Sequence, residues 1–161
     1  MAIHHLITPT RLAVCFSMTF FLLAFIQPAM AHADDSFPII GVLHAGNAPE
    51  ALAVDTKTHM LYIAYESPGL LVGFDPISGS VRWHTPLGNS ATDVQVDNTS
   101  HHVFASAVSY SSRRSNLYVL DGTNGKIQAT LYSGNGDNSI ALDSHRHIAY
   151  AVSIDQGIIY K

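Results

Sequence analysis

An apolar, variable, apolar triplet followed by aspartate recurs along the chain: Leu52-Ala53-Val54-Asp55, Val94-Gln95-Val96-Asp97 and Ile140-Ala141-Leu142-Asp143. Each triplet follows a Gly-Asn dipeptide at one fixed distance, so GNAPEALAVD, GNSATDVQVD and GNGDNSIALD align without a gap. Alternation of this kind predicts a half-buried strand, and its return at a fixed period predicts a repeat architecture. From Phe37 onward no stretch carries a helical period; short runs rich in β-formers alternate with clusters of Gly, Pro, Asn, Asp and Ser. That is the pattern of an all-β array.

The first full unit reads as four strands, a to d: Glu50 to Val54, Met60 to Glu66, Leu70 to Phe74 and Ser80 to Thr85. The second gives Thr92 to Val96, His102 to Val108, Asn116 to Leu120 and Lys126 to Tyr132. The third supplies Asn138 to Leu142 and Ile148 to Ser153, with strand c at Gly157 to Tyr160. A lone strand, Phe37 to His44, precedes them all. Asp75 to Gly79 and Asp121 to Gly125 occupy the same c–d turn, where the Asp bonds amides further on and the Gly accepts a positive φ. In each unit a His follows the strand-a Asp by four residues: His59, His101 and His147. Four short strands in a unit of this length predict the blades of a β-propeller, at about 46–87, 88–133 and 134–161.

These residues resemble YVTN-type β-propeller repeats. The resemblance rests on the Gly46-Asn47-Ala48-Pro49 entry, the strand-a triplet with its Asp, the c–d turn, and Tyr62, Phe104 and Tyr150 at the place of the family's Tyr. The name-giving tetrapeptide is absent; Tyr62-Ile63-Ala64-Tyr65 stands there in the first unit. The resemblance implies an exported or surface protein, in a family whose repeats close as about seven blades, needing some 300 residues. A partial propeller is therefore expected: two complete blades, one incomplete and one N-terminal strand. The expected reason is truncation, with a ring completed by several chains as the alternative. In that alternative the Phe37–His44 strand completes another chain's cut blade.

The start reads as a secretory signal peptide. Arg11 closes a short basic region, Leu12 to Ile26 is apolar, and small-x-small sites allow cleavage after Ala31 or Ala33. The apolar run is shorter than the roughly 20 residues of a membrane span. Residues 1–31 are thus expected to leave, with an exported, periplasmic or extracellular product that has no transmembrane segment. Cys15, the one cysteine, lies in that segment, so the mature chain excludes disulfides, thiolate catalysis and cysteine metal ligands. The net charge of −4 disfavours nucleic acid as a partner.

Candidate chemistry is sparse. The second unit carries an insertion between strands b and c, Ser109 to Ser115. Its Arg113 and Arg114 can hold a carboxylate or phosphate and its Tyr110 can stack on a planar group. Asn89, in the d–a connection on the same end of the unit, joins them as a candidate polar ligand. The competing reading is a solvated loop, with each Gly-Asn a plain turn. His101-His102 and His145-x-His147 invite a metal, but no carboxylate or cysteine joins them at ligand spacing. Asp55, Asp97 and Asp143 read as turn formers, and Trp83 as packing between units. The expected function is a binding or scaffold module for a small molecule or protein, with no cofactor and no catalysis of its own. The alternative is the front of a periplasmic enzyme with its redox or catalytic centre further on. A complete chain of this shape is expected to self-associate through open blade faces.

Overall fold

The computed structural model describes residues 42–88, 90–136 and 138–161. The signal segment with its cleavage sites, and the expected strand up to residue 41, lie outside the described residues. Val42 to His44 carry no strand, because no strand among the described residues pairs with them.

Eleven strands follow: β1 Pro49–Val54, β2 Leu61–Tyr65, β3 Leu70–Asp75, β4 Ser80–Pro86, β5 Ser90–Asp97, β6 His102–Val108, β7 Arg114–Asp121, β8 Ile127–Asn135, β9 Asn138–Asp143, β10 Ile148–Ser153 and β11 Ile158–Tyr160. They form three antiparallel meanders, β1-β2-β3-β4, β5-β6-β7-β8 and β9-β10-β11, one per repeat. The strands fall where the alternation places them. β5 and β8 run longer than expected because bulges at Ala91/Asp93 and Ser115/Asn116 let the ladder continue past the interruption.

The turns are built by the recurring aspartates. Asp55 Oδ1 accepts from the amides of Lys57 (2.9 Å) and Thr58 (3.2 Å), and Asp97 Oδ1 from that of Thr99 (2.9 Å). His59, His101 and His147 close these turns with φ of 62°, 60° and 55°, the left-handed conformation that ends a tight reversal. The first-to-second joint holds the main core. Tyr62, Ala64 and Leu71 of the first sheet meet Val94, Val96, Val103, Ala105 and Leu120 of the second. Each fully buried Val or Leu is worth roughly 1.5–3 kcal/mol. Alanines at positions 64 and 105 let the sheets approach closely.

Trp83 locks this joint. Its Nε1 donates to the Gly122 carbonyl (3.0 Å), the neighbouring Thr85 hydroxyl donates to Gly125 O (2.7 Å), and its ring tilts against Tyr62 at 5.8 Å. Packing between units is thus the place of Trp83. The second joint is more polar. Thr92 and Ser106 share a hydroxyl bond (2.8 Å), Ser106 donates to Asn138 O (2.9 Å), and the Ile140 amide donates to Asp93 Oδ2 (2.7 Å).

Candidate functional site

A meander puts its first and third turns at one end of each sheet and its middle turn, with the link to the next sheet, at the other. The first end, here the lower, carries the β1–β2, β5–β6 and β9–β10 turns. There His101 and His147 reach back to the preceding unit. His101 Nδ1 lies 2.5 Å from Asp55 Oδ2, and His147 Nδ1 lies 3.5 Å from Asp97 Oδ2. Thr56 completes the first joint, its amide donating to Asn98 Oδ1 (2.6 Å). The same aspartate therefore closes its own turn with one oxygen and takes the next unit's histidine with the other.

Asp55 and Asp97 are held below the ordinary carboxylate value of 3.8. Burial opposes the charge at Asp55, but bonds from His101 and the amides of Lys57 and Thr58 outweigh it. At Asp97 burial is likewise outweighed, by the Thr99 amide, the Ser100 hydroxyl and His147. Burial also pushes the Tyr62 hydroxyl up to about 12, with the Asp55 charge adding to it, so Tyr62 stays a donor, to Gly122 O at 3.3 Å. Among the described residues no group of three or more His, Cys, Asp or Glu is placed to hold a metal ion.

The upper end carries the inserted turn between β6 and β7. Its backbone is closed by the Arg113 amide on Ser109 O and the Ser109 amide on Arg114 O, both 2.8 Å, with Arg113 at φ 58°. The Arg113 carbonyl accepts from Gly136 N (2.8 Å), tying the turn to the third unit. Its side chains reach both neighbours. Tyr110 Oη donates to Glu66 Oε1 of the first unit (3.1 Å). Arg113 meets Asp155 of the third through Nε (3.3 Å) and Nη2 (3.0 Å). Arg114 instead lies over the Tyr132 ring, 4.8 Å from its centroid, and Tyr132 meets the edge of Tyr160 at 6.2 Å.

The three described candidates thus share one turn but have separate partners, and Asn89 lies outside the described residues. Stacking uses the face of the Arg114 guanidinium, and among the described residues no acceptor bonds its in-plane N–H groups. Glu66, Tyr132, Asp155 and Tyr160 are the site residues that sequence reading missed. The signal for Asp155 was present: it is a lone carboxylate in the third unit's β10–β11 turn, level with the arginines of the second.

No family model matches the chain, and no curated protein matches it. Among solved structures it is similar to the WD40 domain of Toxoplasma gondii coronin, with 14% identity and a TM-score of 0.53 over 64% of this chain and 28% of that one. It is also similar to Saccharomyces cerevisiae Sqt1, with 18% identity and a TM-score of 0.53 over 69% of this chain and 30% of that one. The chain spans less than a third of either. Likeness at this identity is likeness of fold, and with the three meanders it makes the sheets β-propeller blades.

Proposed function

We propose that the chain is an exported propeller module of the YVTN-repeat type that binds an anionic ligand at its upper end, without catalysis of its own. The repeat type is supported by the Gly-Asn entry, the strand-a triplet and the aromatic at Tyr62, Phe104 and Tyr150. Export is supported by the apolar Leu12–Ile26 run and the small-residue sites behind it. On export the mature chain should begin at His32 or Asp34, which intact-mass measurement of the secreted product reads directly; a product retaining Met1 contradicts the reading.

The binding reading rests on one observation: two consecutive arginines stand at the joint of the second and third blades, one held by Asp155 and one stacked on Tyr132. A carboxylate ligand takes the in-plane donors of Arg114 and competes with Asp155 for Arg113, while a planar body lies beside the exposed tyrosines Tyr110 and Tyr132. Benzoate is the simplest probe with both parts. Calorimetric titration should show binding that weakens at least about tenfold when Arg113 and Arg114 become Ala, the loss expected for charge-assisted bonds. Asp155→Asn should strengthen it by removing the competitor. Benzoate affinity unchanged by the double substitution would remove the case for this site.

A further inference from the structure

The first blade's outer face, turned away from β5, repeats position by position the faces that the other two blades bury. Leu52 stands where the second blade has Val94 and the third Ile140. Val94 is 0% exposed and Ile140 6%, whereas Leu52 is 67% exposed. A groove of about 530 Å³ runs along this outer face, lined among others by Leu52, Leu61, Val72 and Phe74, with Leu43 to Ala45 beside it.

The third blade carries the complementary half on its own outer face. Ala141, Tyr150 and Val152 stand at the positions of Ala53, Tyr62 and Ala64, and Ile159 stands at that of Leu71. In the first blade Tyr62, Ala64 and Leu71 are buried against the second; Val152 and Ile159 are exposed, the latter at 66%. The lower end shows the same division. Two Asp–His couples bridge the internal joints. The remaining halves are His59 on the first blade, with no carboxylate partner among the described residues, and Asp143 on the third, bonded only within its own turn by Arg146.

We propose that a second copy of this chain docks head to tail. The β9–β11 sheet of one copy covers the β1–β4 face of the other, and Asp143 takes His59 of the second copy. The partner is assigned by continuity with the internal joint: each open face displays the residues that its equivalent buries against the other type of face. Among the described residues no strand pairs with the outer edge of the third sheet, β11. Val42 to His44 precede Gly46 as His84 to Pro86 precede Gly88, the place of a fourth strand, so this stretch of the second copy runs beside β11 and completes the blade. One detail differs from the internal joint. Pro76 stands where the second blade has Gly122, a position at which a Cβ would overlap the Tyr62 hydroxyl, so in this joint Tyr150 has to take a different tilt from that of Tyr62.

The test is light scattering on the size-excluded full chain with one broken face at a time. Wild type should run at twice the chain mass or above, and Leu52→Asp and Val152→Asp should each run as single chains. An equal mixture of the two variants should recover a two-chain species, because each supplies the face the other lacks; that recovery also shows both variants folded. Larger wild-type assemblies that Leu52→Asp abolishes report the same joint repeated from copy to copy. A single-chain wild type, variants that associate like wild type, or a mixture that stays single-chain would each overturn the proposal.

Discussion

Alanine at Asp55 should destabilise the chain by about 3 kcal/mol, read from the urea midpoint of the full chain. The side chain is wholly buried and serves three donors at once: the Lys57 and Thr58 amides and His101 Nδ1 of the next blade. Its removal leaves two turn amides without their acceptor and opens the lower end of the best-packed joint. Asp55 and Asp97 also contribute to the acid limit, with Asp75 and Asp121, which are likewise held below the ordinary value. Folded Asp55 and Asp97 sit below 3.8, so the unfolded chain binds more protons as pH falls. Their contribution is complete above the ordinary carboxylate value and is lost as pH drops through the folded values. Wild-type stability should therefore hold steady from neutral pH to about 5 and decline below about 4. Asp55→Ala should flatten that decline; a decline of undiminished depth would show that the carboxylate was not held as described.

Alanine at Gly125 should cost about 3 kcal/mol by the same measurement, against about 1 kcal/mol at Gly79. The two glycines close equivalent turns with φ of 73° and 67°, so the backbone penalty of a left-handed alanine is shared. Their surroundings differ. A Cβ on Gly125 would overlap the Trp83 ring and crowd the Thr85 hydroxyl, whereas nothing lies within 4 Å of one on Gly79. Trp83 cannot withdraw freely, since its Nε1 is bonded to Gly122 O and its ring rests on Tyr62. The difference between the two substitutions isolates the blade-to-blade contact, and equal losses would mean that Trp83 yields at no cost.

The strands were legible in the sequence because burial on alternate positions leaves a period of two, and the Asp-closed turns were legible because turn chemistry is local. Which residues meet across a joint was not, although Trp83 read as packing between units. His101 lies 46 residues from Asp55, and Trp83 lies 39 from Gly122. A repeat shows which positions recur, but the offset between neighbouring copies belongs to their stacking in space. The recurring histidines therefore read as turn residues, when His101 and His147 also reach the aspartate of the blade before them. The upper turn shows the same limit. Arg113 and Arg114 stood out by type, yet the carboxylate that holds Arg113 sits 42 residues on, in a turn whose placement depends on the joint. The Gly-Asn dipeptides resolve in part: Asn135 accepts from the Tyr132 hydroxyl and bonds the Ser153 side chain, which is work within the blade joint.

The central claim is that an aspartate of one blade and a histidine of the next fix how the blades stack. A double-mutant cycle on Asp55 and His101, with alanine at each position and at both, measures that coupling directly in urea unfolding of the full chain. The expected coupling is about 1–2 kcal/mol, in the range of groups in direct contact. Additive losses, with a coupling within about 0.3 kcal/mol of zero, would contradict it.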